Sequence, residues 1–185
     1  MPTQTFFNLP KETRDRIIQA VYKEYFNKPY EEVTVRSIIK EAEIPIGSFY
    51  RYFSDKDELL LYIMDSYAKS LLKRYGQITD FIAYPPDTDY EKYMTEFDWK
   101  CNKVFYNLPP DIIRRFYFEY DRERVIVLYK KELERLKREG KLRKGINIDF
   151  ISYMYATTSY NLVLYFKENN ITDNNERWEI KKALY

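Results

Sequence analysis

The sequence predicts an all-α fold, and three observations carry that prediction. No stretch alternates apolar and polar residues as a half-buried strand does. Only four Gly and eight Pro occur among 185 residues, and they cluster, whereas a turn-rich sheet protein would spread them along the chain. Apolar residues instead recur three and four positions apart along most of the chain.

Pro10 suits the first turn of a helix, where its missing N–H costs nothing. Ile17, Val21 and Tyr25 stand four apart, and Ile18 and Tyr22 widen the stripe. A helix from about Pro10 to Phe26 follows, ended by Asn27-Lys28-Pro29-Tyr30. Thr34 reads as the N-cap of a second helix built on Val35, Ile38, Ile39 and Ala42. About two turns fit before Glu43-Ile44-Pro45 interrupts, and a third short helix then reaches Phe53.

Ser54-Asp55-Lys56-Asp57 reads as a capping box opening a fourth helix at Ser54. Asp55, Asp57 and Glu58 complement the dipole of its first turn, and Leu59, Leu60, Ile63, Tyr67 and Leu71 carry it to about Arg74. Pro85-Pro86 marks a connection. Helical patterning resumes at about Asp89–Tyr106, restarts at Pro109-Pro110-Asp111 and runs to residue 139, with a break expected near Tyr120-Asp121. Gly140 and Gly145 bracket a basic turn. Asp149 reads as the cap of a strongly apolar helix ending at about Lys167, terminated by Asn169-Asn170, and Asn175–Tyr185 reads as a final helix.

Composition removes several function classes. An apolar fraction of 45%, with 18% aromatic residues, supports a buried core and argues against disorder. Cys101 is the only cysteine, so no intrachain disulfide can form, and a reducing compartment is expected. The chain has no His, which argues against zinc and haem sites and excludes Ser-His or Cys-His catalysis. No nucleophile–base pair stands out, so no enzyme, metal or cofactor is expected. The start of the chain lacks the pattern of a signal peptide, and no apolar run approaches a spanning helix. The expectation is a soluble, cytoplasmic protein without a membrane partner.

Two short helices joined by a tight turn and packed on an earlier helix form a helix-turn-helix. In that motif the second helix puts its N-terminal end into the DNA major groove while the first crosses the backbone. Gly47 at the start of the third helix permits close approach to phosphate or base. Ser48 offers a hydroxyl. Phe49 and Phe53 should face inward, leaving Tyr50, Arg51 and Tyr52 outward, with Tyr52 also readable as a core residue. Thr34 and Arg36 begin the preceding helix at its backbone-facing edge, and Lys56 reads as a phosphate clamp or a solvated charge.

The run Gly47-Ser48-Phe49-Tyr50-Arg51-Tyr52-Phe53, then Lys56 and Glu58-Leu59-Leu60, resembles the DNA-binding head of the TetR family of bacterial transcriptional regulators. The helix with Ile17, Ile18 and Phe26 and the run Val33-Thr34-Val35-Arg36-Ser37-Ile38 extend the match over about residues 10–60. The resemblance implies a head at residues 1–54 and a helical ligand-binding and dimerisation domain at 55–185. It implies a homodimeric repressor on a palindromic double-stranded DNA operator, released by a small-molecule effector. By position, Thr34, Tyr50, Tyr52 and Lys56 match phosphate contacts, and Arg36, Ile46, Gly47, Ser48 and Arg51 match positions that reach bases.

The chain departs from the family pattern in two places. Glu43 stands where the turn usually carries Gly; a positive φ there costs a non-Gly residue about 1–2 kcal/mol, so a reshaped turn is expected. Pro45-Ile46 replaces a polar pair, and Ile46 would meet a thymine methyl. Residues 1–56 carry nine Lys/Arg against eight Asp/Glu, so phosphate attraction must come from placement. The rival reading is a helical interaction or sensor module that has lost specific DNA binding.

In the body, the apolar helix ending near Lys167 is the expected dimer interface, through Tyr155, Ser159, Leu162, Val163 and Phe166, completed by Trp178. A ligand pocket is expected among Phe97, Trp99, Phe105, Phe116, Tyr117 and Tyr120. Cys101, central in an apolar stripe, reads as an inert buried thiol.

Overall fold

The computed structural model describes residues 1–75, 95–120, 122–173, 176–177 and 179–180, without the side chains of 71–75, 122–125 and 128. The expected Pro85-Pro86 connection, the helix start near Asp89, Asp121 and Trp178 lie outside the described residues. Those residues contain no strand; besides helical residues at 176–177 and 179–180, within the expected final helix, they contain nine α-helices with defined bounds. They are α1 Gln4–Phe7, α2 Lys11–Asn27, α3 Val35–Ala42, α4 Ile46–Tyr52, α5 Lys56–Tyr75, α6 Glu96–Asn107, α7 Pro110–Arg115, α8 Arg122–Arg138 and α9 Ile148–Glu168. A π turn, Phe116–Tyr120, follows α7, so the regular helix yields five residues before Asp121.

The chain forms two compact units. One comprises Met1–Lys69 and Thr95–Ile112; the other holds residues 70–75 and the described residues from Ile113 onward. The unit containing the head thus reaches well past residue 54 and takes in α6.

In the first unit α2 packs on α3, α3 on α4, and α6 on α2. Ile17, Val21, Ile38, Ala42, Phe49, Phe53 and Leu59 are its buried residues at the expected helical spacing. The apolar pair Phe6-Phe7, too short to register as a period, forms α1. Phe6 is fully buried, its ring 4.8 Å from Phe53 and 5.4 Å from Tyr62. α6 joins through Phe97, whose ring lies 4.8 Å from Tyr22 and 5.6 Å from Phe26. Its first turn is closed by a capping box: Asp98 N–H donates to Thr95 Oγ1 (3.2 Å), and Thr95 N–H donates to Asp98 Oδ2 (2.9 Å). Tyr67 donates to the other oxygen of Asp98 at 3.0 Å, so this fully buried carboxylate is satisfied on both sides. Cys101 is buried, as its place in the stripe implied.

In the second unit α8 packs on α9. Tyr129 stacks on Tyr155 at 5.5 Å, and its hydroxyl shares a hydrogen bond with Ser159. The buried carboxylate of Glu132 is gripped at both oxygens by Arg135.

Two caps differ from the sequence reading. The N-cap of α5 is Asp55, which accepts from Glu58 N–H at 2.7 Å, while Glu58 reaches back to the N–H and hydroxyl of Ser54. The acidic pair displaces the hydroxyl because a charged acceptor holds an orphan helix N–H more strongly than a neutral one. The cap of α9 is Asn147, accepting from Phe150 N–H at 3.0 Å; Asp149 lies inside the first turn and pairs with Lys130 at 2.6 Å.

The turn after α3 is not reshaped. Glu43 adopts the left-handed conformation, φ 52° and ψ 47°. Ile44 N–H donates to Ile39 C=O at 3.1 Å and Glu43 N–H reaches Lys40 C=O, which together make a Schellman closure. Gly140 and Asn170 end α8 and α9 in the same way, through Lys141 N–H to Leu136 C=O (2.9 Å) and Ile171 N–H to Phe166 C=O (2.8 Å). Packing of α4 on α3 holds Glu43 in a conformation its Cβ resists. Glu43→Gly is therefore expected to raise stability by about 0.5–1 kcal/mol, the relieved strain less the extra freedom of Gly in the unfolded chain. Urea unfolding of the two proteins checks this.

Candidate nucleic-acid interface

α3 starts at Thr34, whose hydroxyl accepts from Ser37 N–H (3.0 Å) while Thr34 N–H donates to Ser37 Oγ (3.2 Å). Thr34 and Arg36 are exposed at this end of the helix. Pro45 opens α4, accepting at its carbonyl from Ser48 N–H (2.9 Å) and Phe49 N–H (3.2 Å). α4 is only seven residues long, too short to persist alone in water. It is held from below by Phe49, fully buried, and by Phe53 just beyond it.

This anchoring turns one face of α4 outward. Ile46 is 48% and Tyr50 56% exposed, and Gly47 and Arg51 are exposed between them. Ser48 is half-buried. Tyr50 lies edge-on to Phe49 at 5.3 Å, which restrains its ring while leaving the hydroxyl end outward. Arg36 and Arg51 have no carboxylate partner among the described residues. Two exposed, unpaired guanidinium groups and a phenol on adjoining short helices can bond phosphate oxygens or base edges.

Tyr52 and Lys56 differ from the outward reading. Tyr52 is buried, with its ring 6.2 Å from Phe6. The two-turn helix cannot direct residues 49, 52 and 53 inward without committing Tyr52 to the core. Lys56 is neither solvated nor idle. Its Nζ donates to the carbonyls of Tyr30 and Val33, each at 2.8 Å, and lies 4.0 Å over the Tyr30 ring. Tyr30 in turn donates to Asp57 at 2.6 Å. Lys56 thus ties the turn ahead of α3 to the start of α5, and one of its three N–H groups is left over.

The sequence reading missed the N-terminal arm. Thr3 donates through its hydroxyl to Arg51 C=O (2.7 Å) and through its N–H to Tyr52 C=O (3.0 Å), closing the last turn of α4 from outside the helix. Arg14 donates to the carbonyls of Phe7 and Leu9 and holds the arm on α2. The one signal for this in the sequence is an aromatic pair ahead of Pro10.

Of the expected pocket residues, Phe97, Trp99 and Phe105 lie on α6 in the first unit, and Phe116, Tyr117 and Tyr120 lie in the second. Phe116 and Tyr117 adjoin each other at 5.8 Å, and Tyr117 meets Tyr160 at 6.2 Å.

The expected interface residues differ in exposure. Val163 and Phe166 are buried within the subunit, and Tyr155 and Ser159 are engaged by Tyr129. Leu162 is half-buried. Tyr129 of α8 packs on this face of the helix, and the exposed large apolar side chains of α9 are Phe150, Tyr153, Met154 and Tyr165.

The family model described as "Bacterial regulatory proteins, tetR family" matches residues 17–63, which span most of α2 through the start of α5. An HTH-type transcriptional regulator of Staphylococcus aureus strain bovine RF122 / ET3-1 is 28% identical over 88 residues, covering 48% of this chain and 45% of that protein. Another, from strain USA300, is 31% identical over 70 residues, 38% of each. The chain thus spans less than half the length of these curated relatives. Over nearly the whole chain the fold is similar to that of a putative TetR-family transcriptional regulator from Syntrophomonas wolfei. The TM-score there is 0.59, with 17% identity, over 94% of this chain and 93% of that one. Salmonella enterica GusR gives a TM-score of 0.58 with 13% identity, over 96% and 95%. Among the described residues no helix is long and apolar enough to cross a membrane. The helix-turn-helix thus lies in the segment that matches the tetR family of bacterial regulatory proteins, and the all-α chain as a whole is similar in fold to these solved structures.

Proposed function

We propose that the protein is a cytoplasmic transcriptional repressor that binds a palindromic operator as a homodimer and answers to a small-molecule effector. Residues 1–54 act as the DNA head and 55–185 as the sensing and dimerising body. One observation carries the DNA reading. A Cβ built at Gly47 would meet nothing within 4 Å, and Gly47 has no left-handed φ. The fold itself therefore has no use for glycine here, where Ala would stabilise the helix by about 1 kcal/mol. A glycine kept bare at the exposed start of α4, flanked by Ile46, Ser48, Tyr50 and Arg51, suits the close approach of a nucleic-acid surface.

In this reading Tyr50, Thr34 and the remaining N–H of Lys56 meet phosphates, Arg36, Ser48 and Arg51 reach base edges, and Ile46 meets a thymine methyl. Tyr52 supports the helix from the core. A two-fold operator requires a self-complementary protein surface, and the exposed row Phe150, Tyr153, Met154 and Tyr165 supplies the apolar material. Selection from random double-stranded DNA tests the proposal and is expected to enrich a palindrome; recovery of no sequence preference would favour an interaction module without operator binding. Tyr50→Ala is expected to weaken binding to the selected site and to unrelated DNA by a similar factor, about tenfold, read by fluorescence anisotropy at fixed salt.

A further inference from the structure

Within the first compact unit, a cavity of about 410 Å³ opens between the end of α2, the turn that follows it, and α6. That volume is in the range of small-molecule sites. Its wall is mostly apolar, with Phe26, Tyr30 and Val104 among the lining residues. Tyr25, also in the lining, is only 6% exposed, and its hydroxyl, itself buried, has no hydrogen-bond partner among the described residues. Burial, seconded by the carboxylate of Asp57, pushes this phenol upward, so Tyr25 adds no negative charge to the wall.

Charge narrows the occupant. Three lysines line the cavity, against the single carboxylate of Glu31. Lys28 is paired with Glu24 (2.7 Å) and Lys100 with Glu96 (2.7 Å). Lys103 has no acidic partner among the described residues. The uncommitted cation asks for an anion, and exposed Glu31 disfavours more than one negative charge.

We infer that this cleft is a binding site for a small monocarboxylate with an aromatic body, its ring against Phe26, Tyr30 and Val104 and its carboxylate held by Lys103. The cleft is distinct from the six aromatic positions expected from the sequence, and its occupancy does not depend on the operator reading.

The test uses 2-naphthoate as probe, with calorimetry on the full chain and no DNA present, so its failure and that of the operator proposal are separate results. Binding is expected in the micromolar to millimolar range. The neutral isostere 2-naphthylmethanol should bind about tenfold more weakly, and Lys103→Gln should cost a similar factor. Val104→Trp should abolish binding by filling the cavity. Lys103 is exposed, so its variant keeps the test valid should Val104→Trp fail to fold, as circular dichroism would report. Absence of naphthoate binding, equal affinity for the alcohol, or binding unaffected by Lys103→Gln would each overturn the inference.

Discussion

Phe6→Ala is expected to lower the unfolding free energy by about 3–5 kcal/mol, the cost of truncating a fully buried aromatic. The loss is large because Phe6 does more than fill space. Its ring contacts Phe53, Tyr62 and Tyr52, at 4.8, 5.4 and 6.2 Å, and so joins α1, α4 and α5 in one cluster. Without it α1, a single turn, has no other fully buried side chain. The donors of Thr3 would then leave the carbonyls of Arg51 and Tyr52, and the last turn of α4 would fray. DNA affinity should fall along with stability. Phe7→Ala is the control: Phe7 is 38% exposed, so its truncation should cost well under half as much. Urea denaturation of both variants reads the difference; equal, small losses would show that the arm does not hold α4.

Gly47→Ala should separate folding from function. With nothing within 4 Å of the added methyl, the folded state accepts it, and stability should rise by up to about 1 kcal/mol. DNA affinity should nonetheless fall by about tenfold to a hundredfold, or 1.4–2.8 kcal/mol, as the methyl meets the approaching duplex. Gly47→Leu should fall further without unfolding. The opposite signs exclude misfolding as the cause of lost binding. A variant that binds the selected operator as tightly as the parent would remove the observation on which the DNA reading stands.

The amino-acid pattern determined the helices of the head, the Thr34 cap and the inward pair Phe49 and Phe53, because each depends on spacing within a few residues. It also carried the family motif at residues 47–60. Other features depended on groups far apart in sequence. Lys56 looked like a surface charge until the carbonyls of Tyr30 and Val33, more than twenty positions earlier, came within 2.8 Å. Glu43 looked like a reason to change the turn, yet the packing of α4 on α3 imposes the left-handed geometry. On α9, periodicity identified an apolar helix but could not say which face Tyr129 would claim. Local order is written in nearest neighbours along the chain, since backbone torsions and caps are satisfied within one or two turns. Which side chain is left exposed, tied down or buried is decided by the partner that folding brings to it, and no spacing rule encodes that partner.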